Sequence, residues 1–134
     1  DQEYWSRWKN VIRCLGRMPH NEVLKQYQEA DYSILIRNSE QRYAKAGFPT
    51  KVPESLATGT PVICNLSSDL ACYLYDGVNS VIVHENTPEK IAEAINRAMC
   101  YSKTEKSVMR DNARETAVNC FDYRRYMDKM ADFL

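Results

Sequence analysis

The chain has 134 residues, 44% of them apolar and 27% charged, which suits one globular domain and excludes a disordered or low-complexity chain. Its 18 basic residues balance 18 acidic ones, so no concentrated basic face is offered to a nucleic acid. No apolar run approaches the roughly 20 residues of a membrane span.

Residues 1–9 read as the end of a helix with Trp5 and Trp8 as apolar anchors, and Asp1-Gln2-Glu3-Tyr4-Trp5 has neither the basic start nor the apolar stretch of a signal peptide. Val11-Ile12-Arg13-Cys14-Leu15 is the first predicted strand, stopped by Gly16. Asn21 is a good N-cap for a helix with Val23, Leu24, Tyr27 and Ala30 on its inner face. Residues 32–36, 61–64 and 80–83 are the next three strands, short, apolar and rich in β-branched side chains, as strands covered on both faces should be. Thr87-Pro88-Glu89 combines a cap, a proline at the first helical position and an acid at the positive end, opening a helix with Ile91, Ala94, Ile95, Ala98 and Met99 on one side. Thr104 opens another, carrying Val108, Met109, Ala113 and Ala117. Asp122 caps the last, whose stripe of Tyr123, Tyr126, Met127, Met130, Ala131 and Leu134 reads as core. Strands alternating with helices predict an α/β fold, a Rossmann-like parallel sheet with flanking helices and a helical C-terminal third, as one domain over 1–134.

The five cysteines, Cys14, Cys64, Cys72, Cys100 and Cys120, form no C-x-x-C pair and read as reduced structural thiols of a cytoplasmic protein. Cys14 and Cys64 sit inside strand-like runs, where cysteine behaves as a small buried hydrophobe. His20 and His84 are far apart and lack metal-ligand spacing.

Residues 46–63 carry the chemistry. Pro49 holds Phe48 extended, Thr50 can cap a short helix, and Pro53 is tolerated in its first turn. The helix ends at Gly59, and Thr60-Pro61 launches the next strand. Its N-terminus faces the carboxyl ends of the parallel strands, a natural seat for a phosphate. Lys51 in the first turn is unfavourable for the helix dipole unless an anion is bound in front of it. Glu54, one turn in, can accept hydrogen bonds from sugar hydroxyls. The same three residues also fit a plain capped, solvated helix start. Arg37 follows a strand's carboxyl end, where ligand contacts concentrate in open α/β sheets. Arg42 and Lys45 read as solvated loop residues.

The run Phe48-Pro49-Thr50-Lys51, Glu54-Ser55-Leu56-Ala57, Gly59 and Pro61-Val62-Ile63 resembles the donor-site segment of the family 4 retaining glycosyltransferases, which have the GT-B fold. Leu15-Gly16, Tyr27 to Asp31 and the turn Asp76-Gly77-Val78-Asn79 fall in the same order as in that family. The resemblance implies a C-terminal, nucleotide-sugar-binding domain in which Glu54 binds the ribose and Phe48, Pro49 and Thr50 form the loop against diphosphate and sugar. Ala46 stands where the family has the first glutamate of an E-x7-E pair, which contacts the transferred sugar. Two further strands, carrying the Arg and Lys that hold the diphosphate, would precede Val11, so the resemblance implies a domain truncated on its N-terminal side. Those strands would lie between 11–15 and 32–36, leaving strand edges open to pairing, including dimerisation.

The function this implies is transfer of a sugar from a nucleotide-diphosphate sugar to an acceptor with retention, in polysaccharide biosynthesis. It would need no metal or other cofactor, act in the cytoplasm or at the inner membrane face, and be inactive without the acceptor-binding N-terminal domain. A non-catalytic nucleotide or sugar-phosphate binding module is the alternative that Ala46 sustains. A phosphoacceptor regulatory domain would need an acidic cluster at the strand ends, and Asp31 and Asp69 do not supply one.

Overall fold

The computed structural model describes residues 2–38 and 40–132, with the side chains of all of these except Gln2, Tyr4, Lys45 and Ala46. The apolar runs Ser33–Leu35 (β1), Val62–Cys64 (β2) and Ser80–Ile82 (β3) pair in that order, all parallel, with Ser33 opposite Val62 and Val62 opposite Ser80. Because side chains alternate along a strand, each strand feeds both faces. Val62, Cys64 and Ile82 pack on one side with Val52, Leu56, Ala113 and Ala117. Ile63, Val81 and Val83 pack on the other with Ala94, Ala98 and Met109.

The helices covering these faces are His20–Glu29 (α2), Lys51–Ala57 (α4), Pro88–Cys100 (α5) and Lys103–Cys120 (α6). Shorter helices span Gln2–Trp8 (α1), Arg42–Ala46 (α3) and Met127–Ala131 (α7). The α5 start is as expected, with the Thr87 hydroxyl accepting from the Lys90 N–H at 3.3 Å and Pro88 first in the helix. Helix α6 is instead capped by Ser102, two residues before Thr104, in a reciprocal box with Glu105. That box satisfies two otherwise open N–H groups, which a start at Thr104 would leave unmade. Likewise α2 begins at His20 after Pro19, and Asn21 lies inside it.

The run 11–15 forms no strand. Val11 is 76% exposed, Ile12 and Leu15 about as exposed as each other at 40% and 41%, and Cys14 is exposed rather than buried. A strand needs a neighbour for its main-chain groups, and among the described residues β1 pairs only with β2. The far edge of β1 is open, and Ile34 is exposed there. The C-terminal stripe is also not core. Asp122 does cap, but the first turn is a 3-10 helix over Tyr123–Tyr126, and Tyr123, Tyr126, Met127 and Met130 are exposed. Leu134 lies outside the described residues. Trp5 and Trp8 are likewise partly exposed rather than buried anchors.

Two polar clusters lock the layers. Asp76 accepts from the Ile82 N–H at 2.8 Å and pairs with Arg97, which also donates to the Ile82 carbonyl. Buried Asn79 accepts from the Tyr75 N–H and donates to the Tyr73 carbonyl and Thr116 Oγ1. The Asp76-Gly77-Val78-Asn79 turn therefore ties β3 to both α5 and α6, with Gly77 at φ 73°.

Candidate functional site

In a parallel sheet all strand carboxyl ends face one way, and the chain leaving them lines one edge. At that edge Arg37 follows β1, Asn65 follows β2, and His84 to Asn86 follow β3. The three meet at one peptide. Asn65, 7% exposed, accepts from the Arg37 N–H at 2.8 Å and donates to the Arg37 carbonyl at 2.7 Å. Asn86 donates to the same carbonyl at 3.5 Å. A single side chain thus replaces a ladder rung just past the last paired residues, Leu35 and Cys64.

The Arg37 side chain turns under the following loop. It donates to the Gly47 carbonyl at 2.8 Å and to the Tyr43 carbonyl, and lies over the Tyr43 ring at 5.2 Å. The Gly47 carbonyl lies just past the C-terminal end of α3, which favours a cation; the Tyr43 carbonyl belongs to its second residue. Arg37 is 9% exposed, and among the described residues no carboxylate lies within ion-pair distance of it. Buried charges are ordinarily paired with an opposite charge; this one is held by two neutral carbonyl oxygens and the face of the Tyr43 ring.

The loop is fixed at its other end by Phe48, whose ring packs 5.7 Å from both Tyr73 and Phe121. Pro49 accepts from the Val52 N–H at 3.0 Å, opening α4. Thr50 does not cap that helix. Its φ and ψ, −58° and −23°, are helical, and a side chain on a residue already in the helix is not placed to accept from the first turn. Among the described residues no hydrogen bond engages the N–H groups of Thr50 and Lys51.

Lys51, the first residue of α4, is exposed and makes no ion pair among the described residues. It lines a groove of about 300 Å³ along the open β1 edge, with Tyr27, Ile34 and Leu35. Glu54 is half-buried on α4, and its carboxylate accepts no hydrogen bond among the described residues. It faces α2: burial first, and the Glu54 charge second, raise the pKa of the Tyr27 hydroxyl. Arg37, Phe48, Pro49 and Thr50 thus share one loop, and Lys51 and Glu54 continue it into α4. No hydrogen bond or ion pair joins Arg37 to Lys51 or Glu54, among the described residues. Arg42 is exposed at the start of α3, and the side chains of Lys45 and Ala46 lie outside the description.

A larger hollow of about 700 Å³ lies at the other end of the sheet, beside Ala57, Gly59, Arg110 and Arg114. Its two arginines are spent on the last carbonyls of helices: Arg110 donates to Gln28 and Ala30, and Arg114 to Ala57. They close helix ends. Neither Asn65 nor Asn86 stood out in the sequence. The only signal was the position of Asn65, a polar residue directly after a buried strand.

Residues 7–116 match the family model described as glycosyl transferases group 1. No curated protein sequence matches the chain. Its fold is similar to that of a sucrose-phosphate synthase from Thermosynechococcus elongatus, with a TM-score of 0.78 over 98% of this chain at 18% identity. The chain spans 32% of the length of that protein.

Proposed function

Since the chain belongs to the glycosyl transferases group 1 family and has the fold of a GT-B C-terminal domain, we propose that its strand-end loop binds the nucleotide-diphosphate sugar donor of a larger glycosyltransferase. The observation that carries this is Arg37, a buried guanidinium without a carboxylate partner among the described residues, beneath the loop that leads into α4. A diphosphate supplies the missing counter-charge. The unengaged N–H groups of Thr50 and Lys51 and the Lys51 ammonium add donors and charge on the same loop. Phe48 and Pro49 hold the loop's main chain in place, and the open carboxylate of Glu54 accepts from the ribose hydroxyls.

In this reading the charge growing on the leaving diphosphate is stabilised by preorganised cations and N–H dipoles, without a metal, and the sugar is transferred with retention. The acceptor is held by another part of the larger enzyme, so residues 1–134 alone transfer nothing. The reaction takes place in the cytoplasm.

The test is titration of the full-length polypeptide with UDP, GDP and their sugar conjugates, alongside Glu54→Gln. The neutral amide keeps the shape but loses charge-assisted hydrogen bonds worth about 1.5–3 kcal/mol each, so donor dissociation constants should rise at least several-fold. Equal binding by a folded Glu54→Gln variant rejects the ribose assignment. Binding without turnover under any donor and acceptor would instead mark a non-catalytic binding module.

A further inference from the structure

Asn65 has no place in the donor contacts just described, yet it is the most fully committed polar side chain at the strand ends. Its amide holds both main-chain groups of Arg37, at 2.8 Å and 2.7 Å. Arg37 in turn holds the carbonyls of Tyr43 and Gly47, the two ends of the segment that delivers Phe48 and Pro49. The relay runs from β2, through one peptide at the end of β1, to the donor loop. Asn65 is 7% exposed, so water does not readily replace either bond.

We infer that Asn65 is a positioning residue that sets the donor loop through Arg37. The inference rests on the donor-binding reading for its functional consequence but not for its mechanical one. Without the side-chain rung, the Arg37 N–H loses its partner and the Arg37 carbonyl keeps only the long 3.5 Å bond from Asn86, so the peptide is held loosely and its guanidinium no longer holds two carbonyls at once. The loop then samples many arrangements, and a ligand must select the competent one, which lowers apparent affinity by the fraction populated.

A merely structural asparagine would lower stability wherever it sat. Asn79 provides the matched control, because it too is buried and makes three hydrogen bonds, but to the turn before β3 and to α6. The full-length polypeptide with Asn65→Ala is compared with Asn79→Ala by thermal melting, amide hydrogen exchange without ligand, and titration with UDP and GDP. Asn65→Ala should speed exchange over 43–50 about tenfold and weaken nucleotide binding by at least about tenfold. Asn79→Ala should lower the melting temperature while leaving both readings at 43–50 and for nucleotide near wild type. In an Arg37→Met background, Asn65→Ala should add little to either, since the relay is already cut.

Unchanged exchange over 43–50 in Asn65→Ala overturns the inference, as does equal loss of nucleotide affinity in the two alanine variants. If the wild type binds neither UDP nor GDP, the donor-binding reading falls, and the exchange comparison still decides the relay. Should Asn65→Ala not fold, Asn65→Asp serves instead. It keeps the acceptor for the Arg37 N–H and loses the donor to its carbonyl, so exchange over 43–50 should rise by a smaller factor; none at all counts against the relay.

Discussion

Replacing Arg37 by Met keeps a long side chain in the same space and removes the charge. Two charge-assisted hydrogen bonds are lost, to Tyr43 and Gly47, at about 1.5–3 kcal/mol each. Against this stands the removal of a buried cation that has no carboxylate partner among the described residues, whose desolvation costs several kcal/mol. Tyr43 is exposed and Gly47 half-buried, so water can reach both carbonyls once the guanidinium is gone. The terms nearly cancel, and stability should change by no more than about 1 kcal/mol. Binding has no such compensation. A unit charge about 4 Å from a phosphate oxygen is worth about 1 kcal/mol in water and about 4 at an effective dielectric of 20. Taking the middle, Arg37→Met should weaken UDP binding by about 2.5 kcal/mol, roughly 70-fold. Calorimetric titration and urea denaturation of one preparation of the full-length variant measure both quantities. A dissociation constant within about threefold of wild type in a folded variant refutes the anion role. A loss of more than about 3 kcal/mol of stability would show instead that the arginine's carbonyl contacts outweigh its desolvation.

Lys51→Glu should leave the fold intact and stabilise α4 by a few tenths of a kcal/mol, because an acid suits a helix start, while sharply weakening nucleotide binding; melts and titrations moving in the same direction would make the lysine a surface residue only. Burial, and secondarily the Asp76 charge, push the Cys64 thiol from an ordinary 9.0 up to about 12. A raised folded-state pKa means that this group's contribution to stability is complete below pH 9 and is lost as pH rises toward 12. Iodoacetamide at pH 8 should therefore modify exposed Cys14, Cys72 and Cys100 readily and Cys64 only after denaturation, with mass mapping of the labelled peptides as the readout; native labelling of Cys64 at the rate of the others would contradict its burial.

Local patterns carried the parts of the fold that local physics decides. The runs at 32–36, 61–64 and 80–83 have enough consecutive apolar, β-branched residues to be strands wherever they are covered, and β1, β2 and β3 lie within them. Thr87-Pro88-Glu89 holds its cap, its proline and its acid within three residues, and α5 begins there. The donor-like segment was also legible, because a loop, a short helix and a strand follow from the positions of its prolines and of Gly59. What the sequence could not settle was everything that depends on a partner remote in the chain. The 11–15 run has the composition of a strand, but a strand exists only with a neighbour to receive its main-chain groups, and none among the described residues pairs with it. The Tyr and Met stripe of 123–131 has core composition, yet nothing among the described residues covers it. At the site, the sequence marked Arg37 by its place after a strand, but not that its guanidinium would be buried without a carboxylate. Asn65, Arg37 and Gly47 are separated by 28 and 10 positions, and only the parallel pairing of β1 with β2 brings the strand ends together so that one asparagine can hold the arginine that holds the loop.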